Sequence, residues 1–325
     1  MRAIRLHEFG PPGNLVLDDL PDLSLGPGQV RIAVSASGVH LLDTTLRRGG
    51  AGGPFPLPEL PTVPGREVAG VVDEVGEGVD GSWRGRRVVA HLGMVPGGYA
   101  EQAVTDVGSL FAVPPDLTDV EAVAAVGTGR TALGVFDLER PAADDVVFVP
   151  SAAGGVGWLL AQAARTTGAT VVAAARGADR TAKLAELGAD LVLDYGRPDW
   201  TGTVRERVGG LSLVYDGVGG AVGRAALELT RPGSRFAMFG WSSGEATRIG
   251  TDDLVSRGLT VGWLGQRMRA LPGGIPALAA RSLEPAGRGW WRPLVSTYPL
   301  AEAAAAHADL EARRAFGRVV LTVRR

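Results

Sequence analysis

The segment VVFVPSAAGGVG at residues 146–157 constrains the fold of this chain more than any other. Its apolar beginning is typical of a buried strand, and the small residues after it predict a tight turn into the helical sequence WLLAQAARTTGA. A second strand is predicted at residues 170–175, at the distance expected for a strand–helix–strand unit. Because a helix N-terminus presents free N–H groups and a positive dipole end, an anionic pyrophosphate can bind there. We therefore predict a dinucleotide site at Gly154, Gly155, Val156 and Gly157. The alternative is that these glycines only allow a helix to pack closely on a strand.

The composition excludes several kinds of protein. The chain has 325 residues, enough for two domains, and contains no cysteine, so disulfides, thiolate metal sites and a cysteine nucleophile are ruled out. Its 33 Lys and Arg residues are balanced by 35 Asp and Glu residues, so neither nucleic acid nor an anionic membrane is an expected partner. The beginning MRAIRLHEFG lacks the apolar core of a signal peptide, and no stretch approaches the length of a membrane span. We expect a cytoplasmic protein.

Two different patterns divide the chain. Before Asp119, short runs of strand character separated by glycine and proline turns predict a β-rich domain. From Asp119 onward, strands alternate with helices, which is the pattern of a parallel, doubly wound sheet. After about Arg267 the pattern becomes mixed, and the last predicted strand, 318–323, is expected to pair with the β-rich domain. The segments predicted in the β-rich part are strands at 2–6, 29–36, 67–75, 87–91 and 98–104, a short helix at 41–48 and an irregular loop at 49–65.

Six motifs, in this order, resemble the zinc-independent quinone oxidoreductases of the medium-chain dehydrogenase/reductase superfamily. They are ASGVHLLDTTLRRG at 36–49, PTVPGREVAGVVDEVGEGV at 61–79, PGGYAEQAV at 96–104, SAAGGVG at 151–157, LGADLVLDY at 187–195 and VYDGVGG at 214–220. The resemblance implies an α/β protein with a GroES-like β-rich catalytic domain, residues 1–121 and 268–325. It implies a Rossmann domain with a doubly wound parallel sheet at residues 122–267. It also implies an active site in the cleft between these domains, and a homodimer.

The zinc-binding branch of this superfamily holds its catalytic ion with a Cys/His/Cys set. The resemblance aligns those positions with His40, Arg66 and Thr128. An arginine cannot be deprotonated in a protein and a lone threonine hydroxyl is a poor zinc ligand, so only His40 suits the ion. We therefore expect no metal.

The residues after the second Rossmann strand bear on the choice of nicotinamide cofactor. An NAD site usually carries an acid at this strand end, whereas an NADP site offers positive charge to the 2′-phosphate. Here Arg176 follows the strand, and Arg180 and Tyr195 stand where quinone oxidoreductases contact that phosphate. An arginine can bind phosphate through two parallel hydrogen bonds, so NADPH is favoured. The alternative is that these arginines are solvated charges at a helix start. Further cofactor contacts implied by the resemblance are Thr131, Val218, Phe239, Gly240, Trp241 and Arg318.

The predicted chemistry is hydride transfer followed by proton transfer. The cofactor supplies the hydride, and a side chain or water must protonate the developing oxygen anion. By motif position, the candidate catalytic residues are His40, Thr45 and Thr128. His40 can donate a proton near neutral pH, or it can be a packed histidine without a catalytic role. Thr45 is shorter than the tyrosine that several relatives carry, which indicates a roomier pocket.

The predicted function is therefore that of an NADPH-dependent reductase of a quinone or a related conjugated carbonyl compound. One alternative on the same fold is an enoyl or 2-alkenal reductase in a biosynthetic or detoxification pathway. Another, of a different class, is a non-catalytic protein that senses NADPH or binds RNA. The intact glycine turn argues against the loss of cofactor binding, and the balanced charge argues against RNA.

Overall fold

The protein is described here by a computed structural model covering residues 1–50, 56–93 and 97–323. The chain forms two compact units. The first unit comprises Met1–Gly127, Ser282–Arg288 and Pro293–Arg325, and the second comprises Thr128–Arg281 and Gly289–Arg292. The domain boundaries expected from the sequence, after residues 121 and 267, stay a prediction.

In chain order the strands and helices are β1 (Arg2–Leu6), β2 (Leu15–Asp19), β3 (Gln29–Val39), α1 (Leu41–Arg47), β4 (Glu67–Val75), β5 (Arg87–His91), β6 (Gln102–Asp106), β7 (Leu110–Ala112), α2 (Asp119–Ala124), α3 (Arg130–Leu138), β8 (Val146–Val149), α4 (Gly155–Arg165), β9 (Thr170–Ala175), α5 (Ala178–Leu184), β10 (Leu191–Asp194), α6 (Trp200–Val208), β11 (Leu211–Asp216), α7 (Gly220–Glu228), β12 (Thr230–Met238), α8 (Thr251–Arg257), β13 (Thr260–Trp263), α9 (Leu264–Arg269), α10 (Gly274–Gly287), β14 (Val295–Pro299), α11 (Ala303–Glu311) and β15 (Arg318–Thr322).

The first unit is built on a mainly antiparallel sheet. Its strand order is β14-β15-β3-β4-β5-β7, β6 also pairs with β3, and β1 and β2 form a separate pair. Alternating apolar residues such as Val30 and Ile32 on β3 are fully buried, which gives this sheet its core face. The terminal strand β15 pairs antiparallel with β3, with Val319 opposite Val39, so the predicted return of the chain is confirmed.

Two sequence predictions in the first unit need correction or restriction. The strand predicted at 98–104 begins only at Gln102, because the N–H groups of Gly98 and Tyr99 donate to the carbonyls of Gly65 and Pro64 instead of a strand ladder. The irregular loop predicted at 49–65 has no regular element over residues 56–65. Its residues 51–55 lie outside the described part of the chain, as does Pro96 of the motif at 96–104.

The second unit is a parallel sheet with strand order β10-β9-β8-β11-β12-β13. Strands β9 and β10 lie on one side of β8, and the chain then crosses over so that β11, β12 and β13 lie on its other side. Because the order reverses between β8 and β11, the carboxyl ends of these strands form a switch point, where open α/β sheets bind ligands. The core beneath includes Phe148, whose ring stacks on Trp200 with 5.5 Å between centroids. Helix α6, which carries Trp200, had not been predicted from the sequence.

Candidate active site

The glycine turn after β8 leads directly into helix α4. The N–H of Ala152 donates to the carbonyl of Ala174 on β9 at 3.1 Å, which ties the turn to the sheet. Helix α4 begins at Gly155, and no described side chain caps its N-terminus. A Cβ on Gly157 would overlap the carbonyl of Ser151, so only glycine lets the turn and the helix approach this closely. The uncapped N–H groups at the N-terminus of α4, together with the helix dipole, are suited to bind the pyrophosphate of a dinucleotide.

Asp216 organises the loop that follows β11. Its carboxylate is fully buried: Oδ1 accepts from the N–H groups of Val218 at 3.0 Å and Gly219 at 2.8 Å. Its Oδ2 accepts from the hydroxyl of Thr247 at 2.6 Å. Since all three donors belong to this loop or its neighbour, the carboxylate fixes the conformation of the sequence DGVGG without being available for chemistry itself.

The loops after β11 and β12 are joined by backbone hydrogen bonds. The N–H groups of Ser242 and Ser243 donate to the carbonyls of Gly217 and Val218 at 3.1 and 2.9 Å. A Cβ on Gly217 would lie 2.6 Å from the ring of Phe239, so that ring packs directly on the glycine. The predicted cofactor residues Val218, Phe239, Gly240 and Trp241 therefore lie together. The indole of Trp241 is 48% exposed and lies against Trp263, with 5.0 Å between ring centroids.

The ends of β9 and β10 bring Arg176 and Tyr195 together. The guanidinium carbon of Arg176 lies 5.6 Å from the ring centroid of Tyr195, and the Tyr195 N–H donates to the carbonyl of Ala175. Asp194 holds both strand ends, because its Oδ1 accepts from the N–H groups of Gly177 and Gly196 at 2.9 and 2.8 Å. Arg180 lies on α5, which starts immediately after Gly177.

Two further predicted site residues are the catalytic candidate Thr128 and the cofactor contact Thr131, which are three positions apart in the chain. Thr128 is part of a π-helical turn over Ala125–Gly129, and Thr131 is in the first turn of α3. Both side chains are half-buried.

In the first unit, His40 contacts a buried carboxylate. His40 precedes α1, and its N–H donates to Oδ2 of Asp43 at 2.8 Å. Its Nε2 lies 2.9 Å from Oε2 of Glu67, the first residue of β4, which is fully buried. The same Oε2 accepts from Nη2 of Arg318 at 2.6 Å. Arg318, predicted as a cofactor contact, thus forms a buried ion pair inside this unit, and its proposed role toward the cofactor stays a prediction.

A second buried polar cluster supports α1 from beneath. The Tyr99 hydroxyl lies 3.1 Å from both Oδ2 of Asp43 and Nε2 of His307. Burial raises the pKa of Tyr99 well above its usual value and lowers the pKa of His307 to about 4. Because its pKa is low, His307 is neutral at neutral pH. The Tyr99 hydroxyl donates its proton to Asp43, so Nε2 of His307 is the donor to the Tyr99 oxygen. Arg47 pairs with Glu311. Asp43 and Arg47 thus make buried polar contacts inside the first unit.

Thr45 lies on α1, the helix that His40 precedes. Its side chain is half-buried, and its hydroxyl is 3.4 Å from the carbonyl of Leu41. This is an ordinary contact within a helix, so nothing local ties Thr45 to catalysis, and its proposed role rests on the motif alone.

The three positions aligned with zinc ligands do not suit the ion in this structure. Nη1 of Arg66 lies 3.8 Å from Oδ1 of Asp43, as expected for a charged guanidinium, and His40 is engaged with Glu67. With Thr128, the set offers one good donor where a zinc site needs three or four. Within residues 1–50, 56–93 and 97–323, no group of three or more His, Asp or Glu residues is arranged to hold a metal ion.

Comparison with known proteins places these observations in a family. The model of the alcohol dehydrogenase GroES-like domain matches residues 26–115, and that of the zinc-binding dehydrogenase matches residues 155–280. A 2-haloacrylate reductase of a Burkholderia species is 32% identical, over 98% of each chain. A crystal structure of an NAD-dependent alcohol dehydrogenase is 32% identical over 100% of each chain, with a TM-score of 0.87. The Escherichia coli quinone oxidoreductase complexed with NADPH is 25% identical over 99% of this chain and 100% of that one, with a TM-score of 0.85.

Together with the glycine turn at the switch point, these similarities define an oxidoreductase that uses a nicotinamide cofactor. The chain belongs to the quinone oxidoreductase-like family of the medium-chain dehydrogenase/reductase superfamily. Its GroES-like and Rossmann parts are confirmed. No helix in the described part of the chain is both long and apolar enough to cross a bilayer.

Glu67 is the residue of this region that sequence reasoning overlooked. A signal was present, because Glu67 opens the strongly apolar strand sequence EVAGVV. An acid at such a position is buried, and a buried carboxylate requires partners of opposite charge or hydrogen-bond donors.

Proposed function

We propose that this protein is an NADPH-dependent reductase that transfers hydride to a quinone or a related conjugated carbonyl compound without zinc. The observation that carries the proposal is the arrangement of Arg176 against Tyr195, with Arg180 on the following helix, because it offers cationic and aromatic groups to a 2′-phosphate. The bound cofactor would supply the hydride. The glycine turn and the loops after β11 and β12 would bind and orient it.

His40 is the proposed proton donor. Its imidazole is 26% exposed and is held by its backbone and by Glu67, so it can meet a substrate oxygen while remaining fixed. Thr45 and Thr128 are proposed to contact the substrate through their hydroxyls. Arg66 and Thr128 cannot complete a zinc site with His40, so the carbonyl would be polarised by hydrogen bonds instead of a metal ion.

A second candidate function is reduction of the carbon–carbon double bond of an α,β-unsaturated carbonyl compound. The similarity to a 2-haloacrylate reductase favours it, because an acrylate is such a conjugated acid. Both reactions add hydride to a conjugated system and protonate the product, so both need the same residues.

We also propose that the protein is a homodimer and is located in the cytoplasm. Strand β13 is an edge of the six-stranded sheet, and Trp263 at its end and Val255 on α8 are exposed, which supports edge pairing between two copies. Light scattering on a size-exclusion column tests this state, and a monomer at micromolar concentration would contradict it.

The experiment for the function is NADPH oxidation followed by absorbance, with para-benzoquinone and cyclohexenone as matched acceptors and NADH in parallel. Faster turnover of the quinone with NADPH supports the first candidate, and preference for cyclohexenone supports the second. Tight NADPH binding without turnover of any conjugated acceptor would contradict both and favour a sensor.

A further inference from the structure

We propose that Glu67 is a positioning residue that holds His40 through Nε2, so that Nδ1 is the nitrogen that meets the substrate carbonyl. The inference rests on the proposed function for its chemistry, but its geometry stands on the first unit alone. The distance of 2.9 Å between Nε2 of His40 and Oε2 of Glu67 is that of a close ion pair between an imidazolium and a carboxylate.

The ionised state of Glu67 decides which nitrogen carries hydrogen. Arg318 is always charged, is 4% exposed, and donates to the same Oε2 at 2.6 Å, which favours the carboxylate over the neutral acid. A carboxylate only accepts hydrogen bonds, so Nε2 of His40 must be the donor in every protonation state. Nδ1 then carries hydrogen only in the imidazolium.

The space for this pair is built by two glycines. A Cβ on Gly38 of β3 would overlap Nη2 of Arg318, and a Cβ on Gly127 would overlap the Glu67 carboxylate. Both positions therefore accept only glycine while Glu67 and Arg318 keep their places. The close packing of these glycines keeps the Glu67–Arg318 pair in place, and the pair in turn fixes the position of Nε2 of His40.

His91 is a second histidine near Glu67. Nε2 of His91 lies 3.9 Å from Oε1 of Glu67, beyond hydrogen-bond distance, and Nδ1 of His91 accepts from the N–H of Gly93 at 3.0 Å. Oδ2 of Asp43 accepts from the backbone N–H of His40 at 2.8 Å. The imidazole thus contacts a fully buried carboxylate while the His40 side chain stays 26% exposed.

The proton transfer that follows is balanced. As hydride adds to the conjugated acceptor, an electron pair moves onto the carbonyl oxygen, the Nδ1–H bond of the His40 imidazolium breaks, and an O–H bond forms. His40 becomes the neutral tautomer with its hydrogen on Nε2, still bound to Glu67. The partly exposed ring then regains a proton from solvent.

The first test measures the tautomer directly and needs no turnover. In the free protein labelled with ¹⁵N-histidine, we expect the neutral form of His40 to show a protonated Nε2 and an unprotonated Nδ1, with the signal assigned by its loss in His40→Asn. The opposite tautomer would overturn the proposal. If the tautomer is as expected but no acceptor is reduced, the proposed function fails while the positioning by Glu67 stands.

The second test compares two substitutions that mimic different ends of the ring. An asparagine amide reaches the place of Nδ1, whereas a glutamine amide reaches the place of Nε2. We expect His40→Gln to lower kcat about 100-fold, the low end for a lost general acid, and His40→Asn to retain about 10-fold more activity because it still offers a hydrogen bond to the carbonyl. NADPH affinity should stay unchanged in both. Equal losses, or a better His40→Gln, would contradict the role of Nδ1.

The third test changes the carboxylate. Glu67→Gln keeps an acceptor oxygen for His40 but removes the charge that stabilises its imidazolium, so kcat should fall about 10-fold or more while the KM for NADPH stays unchanged. Thermal unfolding checks that the variant is folded, since Arg318 loses its partner. His91→Asn keeps an acceptor for Gly93 and serves as the matched control, with activity equal to that of the wild type. An unchanged kcat in folded Glu67→Gln would overturn the proposal.

Discussion

The guanidinium of Arg176 lies over the ring of Tyr195, 5.6 Å from its centroid, at the ends of β9 and β10. Arg180 follows in the first turn of α5, which begins two residues after Arg176. In the proposed function, this is the place that would recognise the 2′-phosphate of NADPH.

Arg180→Glu should weaken NADPH far more than NADH. A charge-assisted hydrogen bond contributes about 1.5–3 kcal/mol, so the Kd for NADPH should rise roughly 10- to 100-fold. The Kd for NADH should change little, because it lacks the phosphate. Fluorescence titration measures both constants. Arg207→Glu, an exposed arginine on α6, makes the same charge change and should spare NADPH. Equal losses for both cofactors would remove the phosphate assignment.

Gly157→Ala should destabilise the second unit and abolish tight cofactor binding. The added Cβ overlaps the Ser151 carbonyl, and overpacking of this kind costs about 1–3 kcal/mol. Gly202→Ala is the matched control, because its Cβ meets no atom within 4 Å and lies inside α6. That variant should be more stable by about 0.5–1 kcal/mol. Urea unfolding compares the two, and a stable Gly157→Ala that binds NADPH normally would be inconsistent with the close turn.

Stability should fall as the pH is lowered from 6.5 toward 4. Burial lowers the pKa of His307 from 6.5 to about 4, so in this window the unfolded chain binds a proton that the folded protein does not. The difference amounts to about 3 kcal/mol in the free energy of unfolding.

The measurement is urea unfolding at several pH values. His307→Gln should flatten the dependence between pH 4 and 6.5. A wild-type slope that persists in His307→Gln would assign the effect to other groups.

Purified protein should contain no stoichiometric zinc, because the residues aligned with the ligands are His40, Arg66 and Thr128. Elemental analysis after dialysis against a chelator measures the content, and activity should survive the same treatment. One full equivalent of retained zinc would overturn the zinc-free proposal.

The sequence predicted the parts of the site that depend on neighbouring residues. The turn at 146–157 combines an apolar strand, small residues and a helix within one short segment, and each part has a local signal. Alternating or continuous apolar runs predict most strands of the two sheets, but the prediction places β6 too early and omits β7, β14 and helix α6. For α6 the reason is its weakly apolar sequence, WTGTVRERV, in which little periodicity marks a buried face.

The sequence could not predict the partners of its buried charges. Glu67 meets Arg318 across 251 positions in the chain, and His40 and Gly127 come from two further segments. The local sequence indicates that Glu67 is buried but does not name its partners, and the pairing of β15 with β3 brings Arg318 to the carboxylate.

The sequence by itself thus determined the family, the two kinds of sheet and the nucleotide-binding turn, because short-range backbone and hydrophobic patterns encode them. Only the tertiary structure decided that Glu67 binds His40 and Arg318, and that Tyr99 links Asp43 to His307. The physical reason is that a buried polar group must be satisfied by whichever donors or acceptors the fold delivers, and that choice is made between distant segments.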